Sequence, residues 1–84
     1  MKNYMVTFRS ITLAQRAERL LNRGEIDCAL QRTPRWMEEQ GCGYSIRINN
    51  SDLQRSIMLL RQNRIDYKRI YRQTDSDGME VVGE

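Results

Sequence analysis

Apolar and polar positions alternate along Tyr4-Met5-Val6-Thr7-Phe8-Arg9, with β-branched and aromatic side chains among them, which predicts a first strand. The period then changes. Leu13, Ala17, Leu20 and Leu21 fall at i, i+4, i+7 and i+8, the apolar stripe of a helix, while Arg16, Arg19 and Arg23 fall off that stripe. Thr12 is placed to cap this helix, and Gly24 to end it in the left-handed conformation. Asp27 to Arg32 reads as a second short strand stopped by Thr33-Pro34, and a polar loop follows to Gly41. Gly43 to Ile48 alternates again, with Tyr44, Ile46 and Ile48 on one face and Ser45 and Arg47 on the other. Beyond an Asn49-Asn50 turn, Ser51 and Gln54 match a capping box, and Leu53, Ile57 and Leu60 form the stripe of a second helix. Asp66 to Arg72 is the last predicted strand.

The chain repeats itself. Tyr4, Leu13, Ala17 and Leu20 align with Tyr44, Leu53, Ile57 and Leu60, and Gly24-Glu25-Ile26-Asp27 aligns with Asn63-Arg64-Ile65-Asp66. Two βαβ halves predict an α+β fold, a ferredoxin-like βαββαβ plait. Its antiparallel four-stranded sheet runs in the order 4-1-3-2, with both helices on one face. Residues 1–72 form the single domain, and residues 73–84 an acidic tail with little to bury, expected to be disordered.

Composition narrows the possible roles. A chain of 84 residues makes one thin-cored domain. It has no apolar run near the roughly 20 residues of a membrane span, and its start lacks signal-peptide architecture. Two cysteines are too few for a disulfide scaffold, so they are expected as thiols in a reducing cytoplasm. Residues 1–72 carry all 14 Lys and Arg against seven Asp and Glu, a balance of +7, whereas residues 73–84 carry Asp75, Asp77, Glu80 and Glu84, a balance of −4. A basic body attracts anions, which raises RNA as a partner. The third strand, however, keeps only Gly43, Tyr44 and loosely Ser45 of the RNA-recognition pattern. The face expected to be open (Met5, Thr7, Arg9, Ser45, Arg47) offers no stacking aromatic. Nucleic acid is therefore a disfavoured partner.

The absence of histidine removes the commonest general base and metal ligand, and Arg9-Ser10-Ile11-Thr12 is no phosphate loop. No metal, no cofactor and no self-sufficient enzyme are expected. The remaining chemistry is thiol chemistry. Cys42, flanked by Gly41 and Gly43, should lie near the start of the first helix, where free amides favour an anion and Arg9 and Arg35 add positive charge, while Glu38 and Glu39 oppose it. Cys28, beside Ala29 and Leu30, reads as a small buried hydrophobe opposite Arg47, too far along the strand for a disulfide with Cys42.

Thr33-Pro34-Arg35 followed by Cys42-Gly43 and then Arg47 resembles the small prokaryotic family of selenium/sulfur carrier-like domains. The helix Ala14 … Ala17-Glu18-Arg19-Leu20-Leu21 and the closing Tyr67 and Tyr71 extend the likeness over about residues 4–71. The resemblance implies that Cys42 bears the chalcogen as a persulfide or its selenium counterpart. Pro34 and Arg35 would shape the loop, Gly43 would give backbone access, and Arg47 would be a supporting strand residue. It implies protein partners, a donor and an acceptor, with room for a weak homodimer. Where the family pattern has small residues before Cys-Gly, this chain has Trp36-Met37-Glu38-Glu39-Gln40-Gly41. That loop suits protein docking, and keeps a second reading beside the carrier: a non-catalytic interaction or regulatory module.

Overall fold

The first alternating stretch forms β1 (Asn3–Thr7), and the stripe after it forms α1 (Ile11–Arg23). A computed structural model describes residues 3–33, 43–73 and 79–83. β2 (Cys28–Arg32) and β3 (Tyr44–Asn49) follow, then a 3₁₀ turn (Asn50–Asp52) and α2 (Leu53–Gln62). β4 (Arg69–Gln73) and β5 (Met79–Gly83) complete the described elements.

All pairings are antiparallel, and the sheet runs β2-β3-β1-β4-β5. The inner order is the expected 4-1-3-2 read from its other side. The number of strands is not: the fold is α+β with two helices and an antiparallel sheet of five strands, where four were expected. The additional strand comes from the segment expected to fray. β4 supplies its partner backbone, with Tyr71 opposite Val81 and Arg72 opposite Glu80. Only Met79-Glu80-Val81 alternates, and an irregularity in register at Val82 ends the pattern, too short a signal to read as a strand.

Val6, Phe8, Ile46, Ile48 and Ile70 share one buried cluster with Ala14, Ala17 and Leu21 of α1 and Leu60 of α2. Both helices therefore cover the same face of the sheet. Leu13, Leu20, Leu53 and Ile57, expected on the apolar stripes of the helices, pack half-buried around it. Met5 and Tyr71, cross-strand neighbours, form a separate small cluster on the opposite face.

The β2–β3 register differs by one residue from the expected one. Arg32 lies opposite Tyr44, which sets Cys28 opposite Ile48 and not Arg47. A shift of one exchanges faces, so Cys28 packs against the helix-side core.

The helix ends carry the internal repeat most faithfully. Ile26 N–H donates to Leu21 O and Ile65 N–H to Leu60 O, both at 2.9 Å, while Glu25 N–H donates to Asn22 O at 3.1 Å and Arg64 N–H to Arg61 O at 3.2 Å. Each end is thus a Schellman motif whose apolar pair, Leu21 with Ile26 and Leu60 with Ile65, is buried. The left-handed residues are Glu25 (φ 64°) and Arg64 (φ 56°), not Gly24, whose φ is −81°. Gly24 serves packing instead: a Cβ there would meet Leu59 Cδ1 at 3.1 Å.

At the helix starts, Ser10, not Thr12, caps α1, its Oγ accepting from Leu13 N–H at 3.2 Å. The expected Ser51–Gln54 capping box does not form, because the 3₁₀ turn moves the start of α2 to Leu53, whose N–H bonds Asn50 O.

Candidate functional site

Gly43 marks where the chain returns to the sheet. Its φ of 79° is left-handed backbone that favours glycine, and its carbonyl accepts from Thr33 N–H at 2.8 Å, closing the β2–β3 ladder. Thr7 lies opposite Ser45. Gly43, bonded to Cys42, therefore stands at the end of the sheet where β1 closes and α1 begins. Cys42, Pro34, Arg35 and Trp36 lie outside the described residues.

Around Gly43 the described side chains form a small polar corner. Strand alternation directs Thr33 and Ser45 to the face without helices. Both are buried, at 6% and 0% exposure, and among the described residues neither hydroxyl has a hydrogen-bond partner. Thr7 beside them is satisfied: its Oγ1 accepts from Arg69 N–H at 3.1 Å and donates to Arg69 O at 3.4 Å. On the helix side, the Arg32 guanidinium lies 5.9 Å from the centre of the Tyr44 ring. Sequence reasoning missed Thr33, taken as a strand stop, and placed Ser45 on an open face. Small polar residues carry no signal of burial when the element covering them is unknown.

Arg47 is exposed on the helix-free face, between Ala29 and Met5. It stands four residue steps along the strand from Gly43, about 13 Å. It instead lines a 60 Å³ cavity with Asp27, Cys28, Ala29 and Asn49.

Cys28 is a free, half-buried thiol. Its Sγ donates to Asn22 Oδ1 at 3.5 Å and lies 3.9 Å from Glu18 O. Burial, with the charges of Glu18 and Asp27 adding to it, pushes the thiol up to about 11. A thiol held protonated at neutral pH is a poor nucleophile, so Cys28 serves packing. Among the described residues no group of His, Cys, Asp or Glu is arranged to hold a metal, and no helix is long and apolar enough to cross a membrane.

Sheet, helices and thiols define a small α+β domain with one cysteine packed half-buried against the core and another next in sequence to a left-handed glycine at the sheet end. The sequence profile of the family described as "Putative Se/S carrier protein-like" matches residues 3–72, and the chain belongs to that family. No curated protein and no solved structure matches the chain.

Proposed function

We propose that this protein carries sulfur or selenium on Cys42, taking it from one protein and yielding it to another in the cytoplasm, without being an enzyme in its own right. Membership of the carrier-like family over residues 3–72 carries this reading. The state of Cys28 supports the choice of residue: a thiol pushed up to about 11 is unsuited to exchange, which leaves Cys42 of the two cysteines. In fold terms, β1 to β4 with the two helices are read as a ferredoxin-like plait that β5 extends.

The chemistry is exchange without net oxidation. The Cys42 thiolate attacks the outer sulfur of a donor persulfide, the donor's S–S bond breaks, and the donor departs as a thiolate that takes up the proton lost from Cys42. Cys42 then holds a persulfide, and attack by an acceptor thiolate on its outer sulfur reverses the sense. A selenium atom in the outer position follows the same course. Gly43, in a conformation open to glycine, keeps Cβ bulk away from the residue that must meet two partners.

Intact mass spectrometry after incubation with a cysteine desulfurase and cysteine tests the reading. The wild-type chain and Cys28→Ser should each gain one sulfur atom, and Cys42→Ser none. An unchanged adduct on Cys42→Ser would refute it.

A further inference from the structure

The two helices of the internal repeat meet different surroundings. In α1, Ala14, Ala17 and Leu21 are fully buried. Their counterparts in α2 are Gln54, Ile57 and Arg61, the first and last exposed and Ile57 half-buried. α2 turns Leu59 and Arg55 toward α1, where Leu59 Cδ1 closes on Gly24 and the Arg55 guanidinium donates to Gly24 O at 2.7 Å. On its other side it bears a groove of 420 Å³ lined by Leu53, Gln54, Ile57, Met58, Arg61 and Gln62. Met58, at 59% exposure, is the most open large apolar side chain among the described residues.

The arrangement of the lining selects a helix as the occupant. Leu53-Ile57-Arg61 and Gln54-Met58-Gln62 are adjacent rows of the i, i+4 kind, and the channel between two such rows is the shape into which a ridge of a second helix packs. Charge then selects among helices. The first row ends at Arg61, and Arg64 follows past the end of α2, in an adjoining concavity with Ile65, Asp66 and Tyr67. Both arginines are exposed and neither makes an ion pair among the described residues, and no acid lines the groove itself. A second copy fits poorly: the helix layer also exposes Arg16, Arg19 and Arg23, and two such layers face to face would repel. We propose that the groove docks an amphipathic, acidic helix of a partner protein, its apolar residues against Leu53, Ile57 and Met58 and its flanking carboxylates against Arg61 and Arg64. The proposal does not depend on the carrier reading and stands even if Cys42 holds no sulfur.

A terminally blocked peptide, Leu-Glu-Ala-Leu-Glu-Glu-Ala repeated twice, tests it when titrated into the full chain and followed through backbone amide resonances. The titration is made in about 0.1 M salt, where charges act over about 10 Å. Shifts should concentrate on residues 53–64, and the same peptide with Lys for Glu should cause none. Met58→Gln, which removes apolar contact, and Arg61→Glu, which reverses a charge, should each weaken binding by about tenfold. Arg19→Glu makes the same change of net charge on α1 and should weaken it by less than about threefold. All three positions are exposed, and the same spectra report whether the variants fold. Absence of binding, shifts centred elsewhere, or a loss for Arg61→Glu no greater than for Arg19→Glu would overturn the proposal. So would undiminished binding by Met58→Gln, or a wild-type dimer in sedimentation that Met58→Gln dissociates, because the groove would then belong to a second copy.

Discussion

Glu25 and Arg64 hold left-handed backbone at the ends of the two helices, at φ 64° and 56°. A side chain there costs roughly 1 kcal/mol relative to glycine, partly offset by the extra freedom glycine has when unfolded. Glu25→Gly and Arg64→Gly should each raise stability by about 0.5–1 kcal/mol in urea unfolding. Ser45 presents a different case, a fully buried hydroxyl with no hydrogen bond among the described residues. Ser45→Ala forfeits no bond, so the same measurement should find between no change and about 1 kcal/mol of gain.

Cys28 sets a pH dependence. The unfolded thiol ionises near 9.0 and the folded one near 11. Above the lower value the unfolded chain has lost a proton that the folded chain keeps. Stability is therefore unaffected below pH 9 and falls as pH rises toward 11. Cys28→Ala should remove that alkaline decline, read as the urea midpoint against pH.

At the scale of elements, β5 shows how far an element can be independent of the core. Its two residues of described burial, Val81 and Val82, are exposed and outside the core cluster, yet it pairs with β4 along Ile70 to Gln73. A chain ending at Gln73 should keep its helical circular dichroism and cooperative unfolding while losing stability, with the Met5–Tyr71 side of β4 newly exposed. Complete loss of folding would make β5 part of the folding unit.

The same element marks a limit of what the sequence discloses. Strong periodicities were legible: the stripes of α1 and α2, the alternation in β1 and β3, and the repeat that reappears as two matched Schellman ends. Local end chemistry was less so, because Ser10 and Thr12 are equally good caps and only the path from Phe8 decides between them. Register was the finest detail and was off by one, since Thr33-Pro34 says where β2 stops but not which residue of β3 it faces. Of the candidate site, Gly43 and Cys28 could be interpreted from neighbours in sequence. The buried state of Thr33 and Ser45 has no counterpart in the local sequence pattern, which fixes only the face of the sheet each lies on.

For the molecule as a whole, the two thiols divide the roles. One is protonated at neutral pH and packs half-buried against the core beside α1, and the other follows Pro34-Arg35 in sequence and directly precedes a glycine whose backbone is left-handed. In sequence, the acidic balance of residues 73–84 against the basic balance of residues 1–72 adds a second asymmetry. The central claim is that sulfur resides on Cys42. The most direct measurement is peptide-resolved mass spectrometry of the loaded wild-type chain, after blocking with an alkylating agent that preserves persulfides and cleavage with trypsin. Trypsin separates the two thiols, one between Trp36 and Arg47 and the other between Gly24 and Arg32. The account predicts the additional sulfur on the Trp36–Arg47 peptide. Sulfur on the Gly24–Arg32 peptide, or on neither, would contradict it.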